Sequence, residues 1–355
     1  MYEKKYNSID RQTIDVFKML CAILIVSIHI RPFLSFSKTL DFFEGDIVAR
    51  IAVPFFYAAS AFFFFEKILF SEQKILKCKE NTLRLIKYLK RIVLLYTIWS
   101  GIYLLWQIPY WNSIGWSGIR AVVDYIIAFF IRGSVYHFWY FISLIYGMIF
   151  LYKLLQIVEL KKAFYIGCIL YLIKSLIYGY SWIGVPGIKM VENIWNLFGG
   201  VFDGIFLALP CMLVGVLASQ KHEIYLKVSK YRRGGVIISF CGLIIEVSHL
   251  YFLNVNYGKY SYVIFTFPVC IFLFSYVLEK EIHRKKKWGK KIRNYSTLIF
   301  CVHPFVIYLF KLNERFNQIN SFLQYIIVLF VSLLISKFII LLSEREEFKS
   351  FRYLF

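Results

Sequence analysis

The chain has 355 residues, is 59% hydrophobic and only 18% charged, and carries a net charge of +21. Soluble domains hold about 45–50% apolar and about 25% charged residues, so the long apolar runs need lipid and a soluble enzyme is excluded. The basic residues sit between apolar segments, in clusters such as Lys74–Arg91, Lys230–Arg233 and His283–Arg293, which fits membrane orientation and anionic headgroups rather than nucleic acid.

A spanning helix needs about 20 mostly apolar residues. Ten segments qualify: 14–35, 47–65, 91–108, 136–155, 163–179, 202–219, 235–253, 260–278, 295–311 and 320–342. The expected fold is an all-α polytopic membrane protein of about ten transmembrane helices. Residues 1–355 form a single domain, with no linker and no visible repeat. With both termini cytoplasmic, thirty of the 42 Lys and Arg fall in inner segments and nine in outer ones, counting Arg31, Arg50, Arg91, Lys153 and Lys311 at the span ends with the adjoining loops, as the positive-inside rule requires. The segment 118–132 is short and amphipathic, and either lies along the outer surface or dips back into the bilayer. The first apolar run is followed by Arg31 and Pro32 rather than a cleavage site, so it is expected to stay as an anchor. The 37 Phe and 27 Tyr divide between interface belts and packing.

Ionisable groups at membrane depth are costly and mark function. In chain order, Asp15 and Lys18 lie one turn apart at the inner end of the first segment. They make either an intrahelical pair or a cation for a cytosolic donor. His29 follows fourteen steps after Asp15, about 21 Å along a helix. A neutral imidazole there can take and return a proton, or simply bond a neighbouring helix. Arg50 precedes Pro54, which frees a backbone carbonyl, and then Ser60; this suits a helix lining a cavity or a boundary arginine. Lys90 and Arg91 close the largest inner loop. His137 and Tyr140 open the fourth segment, where aromatic anchors are ordinary and a histidine is less so.

Later in the chain, Asp203 opens the sixth segment, where a carboxylate caps a helix well. Glu246 and His249 sit three apart, an acid–base or acceptor-binding pair. One such pair is too few for a di-iron bundle, so no metal is expected. His303 precedes Pro304 in a kinked, cavity-lining helix. His222 and His283 are read as solvated. The seven cysteines form no C-x-x-C pair or zinc spacing and read as buried apolar residues.

TIDVFKMLCAILIVSIHIRPF, RIAVPFFYAASAFFFF, HFWYFISLIYGMIFLY and FCVHPFVIYLF together resemble the acyltransferase-3 family of bacterial integral membrane proteins. The first two resemble, more closely, the membrane domain of the membrane-bound serine racemases of vancomycin resistance, with the racemase domain expected to be absent. The resemblance implies a ten-helix bundle in the bacterial cytoplasmic membrane. It would move an acyl group, usually acetyl, from acetyl-CoA to a hydroxyl of an extracytoplasmic glycan, lipid-linked sugar or wall component, with no tightly bound cofactor. His29 takes the place of the family's first-helix histidine and would be catalytic. Lys18 stands where the family has arginine, and lysine cannot supply a bidentate fork. Arg50 matches the second-helix arginine, and Ser60-Ala61-Phe62 replaces Ser-Gly-Phe. Acyl-CoA would meet Lys18, Asp15, Lys90 and Arg91; the acceptor would meet Arg50, Ser60, His137, Tyr140, Glu246, His249 and His303. A second reading is transport or delivery of an amino acid such as serine.

Overall fold

A computed structural model describes residues 12–113, 115–116, 118–183, 187–253, 263–280 and 286–355. It is almost entirely helical; the described strands are a two-residue pair, β1 (Phe70–Ser71) and β2 (Lys74–Ile75), antiparallel to each other. The helices are α1 (Gln12–Ile30), α2 (Lys38–Phe65), α3 (Lys79–Ser113), α4 (Gly118–Ile127), α5 (Trp139–Ile157) and α6 (Leu160–Tyr178). There follow α7 (Ile188–Asp203), α8 (Leu209–Ser219), α9 (Glu223–Lys230), α10 (Arg232–Phe252) and α11 (Thr266–Glu279). The chain ends with α12 (Lys286–Lys311), α13 (Glu314–Gln318), α14 (Ser321–Ser343) and a 3₁₀ segment, Glu346–Leu354.

Seven described helical stretches are long and apolar enough to cross a membrane, and α11 is a shorter apolar helix. Every expected segment falls largely on a helix. The first stops early: α1 ends at Ile30, because Arg31 adopts φ 59° and Pro32 disfavours helix in the residue before it. Residues 260–262 of the eighth segment lie outside the described residues.

The core is built on close backbone approach. Gly215 of α8 sits so near α2 that a Cβ there would fall 2.0 Å from the Ala58 carbonyl oxygen. Small residues let membrane helices approach in this way, since lipid gives no hydrophobic drive between them. Around this contact α2 buries Phe55, Tyr57, Ala58, Ala59 and Phe65 almost completely. α1 packs against α12, and α12 against α14.

α4 lies along the bundle with Ile119, Val122 and Ile126 exposed. Two tyrosines fix it to the core: Tyr125 donates to the Ser100 carbonyl (3.1 Å), and Tyr96 donates to the Phe129 carbonyl (2.8 Å). The 3₁₀ segment folds back on the bundle. Trp99 Nε1 donates to the Leu354 carbonyl (3.0 Å) and Arg352 Nε to the Ser343 carbonyl (3.0 Å).

His222 is not solvated. It is buried, and its Nδ1 accepts the Ile224 N–H (3.2 Å), capping α9, while Nε2 lies 3.1 Å from Gln73 Oε1. Nδ1 accepts, so Nε2 carries the proton. Burial holds this imidazole below its ordinary pKa of 6.5. His283 lies outside the described residues.

Candidate functional site

At the end of the bundle where the basic loops gather, α3, α12 and the C-terminal segment enclose a cavity of about 890 Å³. Among the described residues its side-chain cations are Lys90, Arg91, Lys290, Lys291 and Arg352, with Glu344 as the one acidic side chain. Arg91, Leu95, Asn294 and Phe355 also line a deeper chamber of about 200 Å³, which reaches Lys18, Ser60, Tyr88, Tyr140, Arg293 and Phe300. The deeper chamber keeps three cations, Lys18, Arg91 and Arg293, and adds aromatic walls and hydroxyls.

Of the residues expected to meet the donor, Lys90 lines the mouth, Lys18 lines the deeper chamber and Arg91 lines both. Asp15 lines neither. It grips Arg293 of α12 in a two-pronged pair (2.9 and 2.8 Å) rather than pairing with Lys18 on its own helix. The fork matches a carboxylate as an ammonium cannot. Asp15 therefore places Arg293 in the chamber wall and leaves Lys18 over the Phe56 ring, 5.9 Å from its centre.

Behind the inner wall sit three imidazoles from three separate segments. His29 stacks on His303 with ring centres 5.3 Å apart. His137 meets His303 edge-on at 5.8 Å. Phe300 separates them from the chamber: it packs on Tyr140 (5.4 Å) on one side and on His137 (5.7 Å) on the other. Tyr136, well exposed, lies edge-on to His29 at 5.1 Å.

The helix carrying His303 is opened and repaired at this level. Proline 304 weakens the ladder, and Tyr103 of α3 enters it: its hydroxyl donates to the Cys301 carbonyl (2.8 Å) and accepts the Phe305 N–H (3.0 Å). The two helical groups that would bond each other are bridged instead. His303 Nδ1 lies 2.8 Å from the Ile299 carbonyl. A carbonyl only accepts, so Nδ1 holds the proton and Nε2 presents a lone pair. Nε2 of His303 and both ring nitrogens of His137 are buried without a hydrogen-bond partner among the described residues. An unpaired buried polar group costs about 1–3 kcal/mol, so a polar partner at these nitrogens would be stabilising.

Beyond His29, at the far end of α1, lies an ionic network that the sequence reading missed. Arg31 donates to Asp41 (2.9 Å) and Asp46 (2.7 Å), and Asp46 also meets Arg50 (3.4 Å). Ser27 donates to Glu44. Arg50, expected to line a cavity or bind the acceptor, is tied into this network through Asp46. The signal for the rest was Arg31 itself, two residues past a membrane histidine. The acids looked like ordinary loop residues.

Three further expectations are corrected. Glu246 is not with the imidazoles; it accepts the Ile264 and Phe265 N–H groups (2.8 Å each) at the start of α11, and the Tyr180 hydroxyl. His249 is exposed on the same helix. A spacing of three does not say which helix face turns inward. Asp203 is not a cap; it accepts Lys174 Nζ (2.5 Å) and Trp195 Nε1 (3.2 Å). Lys174, buried, is also caged by the Tyr178 and Trp195 rings at 3.7 and 4.3 Å. Ser60 and Tyr140 line the inner chamber, while His137 and His303 lie behind it. Among the described residues no three His, Cys, Asp or Glu side chains are arranged to hold a metal ion.

Residues 11–341 match the family model described as an acyltransferase domain. Among curated proteins, the chain is similar to a serine/alanine racemase of Enterococcus gallinarum, 28% identical over 90% of this chain and 44% of the racemase. Two amino-acid racemases of Enterococcus faecalis are 28% and 25% identical over 91% and 94% of this chain, and 44% and 46% of their own lengths. The chain therefore spans under half the length of these relatives. No solved structure matches it. With the membrane helices and the family match together, the chain belongs to the acyltransferase-3 family of multi-pass membrane proteins.

Proposed function

We propose that the protein is a membrane-embedded O-acyltransferase of the bacterial cytoplasmic membrane. On this reading the bundle has ten spans, with both termini on the basic, cytosolic side. It moves a short acyl group, acetyl in the simplest case, from cytosolic acyl-CoA to a hydroxyl of an extracytoplasmic glycan, lipid-linked sugar or wall component. The observation that carries the reading is the trio of imidazoles, two of which, His137 and His303, hold buried nitrogens without a partner among the described residues, set behind a chamber that opens onto a cationic mouth.

The mouth suits the polyphosphate of a CoA donor, with Lys90, Arg91, Lys290 and Lys291 as counter-charges. The deeper chamber suits a thioester arm, with Lys18, Ser60 and Tyr140 around it. An acceptor hydroxyl arriving from the Arg50 side would meet His29. The imidazole takes the hydroxyl proton as the oxygen attacks the thioester carbonyl. The C–S bond then breaks, and the imidazolium returns the proton to the thiolate. His303, with its proton pinned on Nδ1, offers Nε2 as an acceptor beside His29. A relay in which His29 itself carries the acyl group fits the same positions.

The test is turnover of radiolabelled acetyl-CoA by the purified protein with envelope glycan or lipid fractions. His29→Ala is expected to lose at least about a hundredfold, the usual scale of a general base, with an unchanged melting profile. Equal turnover by the variant would remove His29 from the reaction. The similarity to a serine/alanine racemase favours a second reading, in which the bundle handles serine. Counterflow of labelled serine in proteoliposomes, without acyl transfer, would replace the first reading with that one.

A further inference from the structure

A third cavity lies away from the imidazoles and shares no lining residue with the other two. It is a groove of about 810 Å³ between α10 and α11. At its basic end stand Lys230, Arg232 and Arg233, against Glu279. Arg232 Nε is held by Glu279 at 2.6 Å, whereas Arg233 is 3.7 Å away and largely exposed. Among the described lining residues, three cations against one carboxylate leave an excess of two positive charges.

Away from that end the lining turns apolar. Ile238 is exposed beside it. Phe272 lies flat against Gly235, where a Cβ would fall 2.2 Å from the ring. The groove therefore depends on the absence of a side chain there. Along α11 the lining runs from Glu279 to Phe265, fourteen steps or about 21 Å. One leaflet's hydrocarbon is about 15 Å deep. A groove that is cationic at one end, apolar along its length and longer than a leaflet matches one kind of molecule.

We infer that this groove binds an anionic phospholipid from the leaflet on the basic-loop side. The phosphate lies between Lys230 and Arg233, and one acyl chain runs along Ile238 and Phe272. Basic pockets between membrane helices hold anionic headgroups through this combination. The inference stands apart from acyl transfer and does not depend on it.

Native mass spectrometry of the intact chain in detergent, titrated with phosphatidylglycerol or with phosphatidylcholine of the same chains, tests it. One copy of phosphatidylglycerol should be retained at least about tenfold more tightly than phosphatidylcholine. The double variant Lys230→Gln, Arg233→Gln should erase that preference, since each surface cation near a membrane contributes about 1 kcal/mol, about five- to tenfold. Ile238→Trp, which fills the groove but keeps the charges, should weaken both lipids. Glycerol 3-phosphate, which has the headgroup chemistry without chains, should not displace the lipid. Equal retention of the two lipids, unchanged retention in both variants, or displacement by glycerol 3-phosphate at equal concentration would each overturn the lipid site.

Discussion

His222 shows how a single side chain can couple this bundle to pH. It caps α9 as a neutral ring, and burial depresses its pKa from 6.5. A group whose folded pKa is depressed contributes stability that is complete above the unfolded pKa and is lost as pH falls through the folded one. Thermal stability should therefore decline as pH falls below about 6.5. His222→Asn, which can still cap, should flatten that part of the profile. A decline identical in both proteins would clear His222 of the effect. The imidazoles in the bundle follow a different logic. His29, His137 and His303 were legible because histidine in an apolar run has few structural uses, and all three meet. Glu246 and His249 read equally well, yet Glu246 is spent on the α11 backbone. Residue type carries chemistry, but not the direction in which a side chain points.

At the scale of an element, α12 is the part whose design is most exposed. Pro304 was legible as a kink. The remedy was not, because Tyr103 is some two hundred positions earlier and looks like any other aromatic in a lipid-rich helix. The same distance hid the Asp15–Arg293 grip. Tyr103→Phe keeps the ring and removes the bridging hydroxyl, leaving the Cys301 carbonyl and Phe305 N–H without it. The expected cost is about 1–3 kcal/mol, read as a fall in melting temperature. His303 rides on the same turn, so turnover should fall as well, with the donor KM little changed. A variant as stable as the parent would show that the kinked turn satisfies itself. Helix positions, by contrast, followed directly from runs of about 20 apolar residues, because backbone groups in lipid leave almost no alternative to a helix. The early end of α1 was the exception, and it rests on one left-handed arginine.

Across the whole molecule, charge is distributed in one direction. The cations of the mouth and those of the groove between α10 and α11 share one end, tied by Thr13 donating to the Lys280 carbonyl (2.6 Å) and Arg232 to Glu279. The carboxylates Asp41, Glu44 and Asp46 belong to the opposite end of α1. If the mouth draws in a polyphosphate, attraction between exposed charges weakens as salt shortens the screening length from about 10 Å at 0.1 M to about 3 Å at 1 M. The donor KM should then rise several-fold over that range while kcat holds. Arg91→Gln should start from a higher KM and respond less. A KM indifferent to salt would mean that the mouth does not recognise charge.

Phe300 turns one face to the chamber and the other toward the imidazoles. A protein that must pass a chemical group from one aqueous side to the other runs the risk of becoming a leak. If the bundle hands an acyl group across as proposed, this benzene ring stands in its way, and the same ring that must yield to the group would have to hold back protons and small ions.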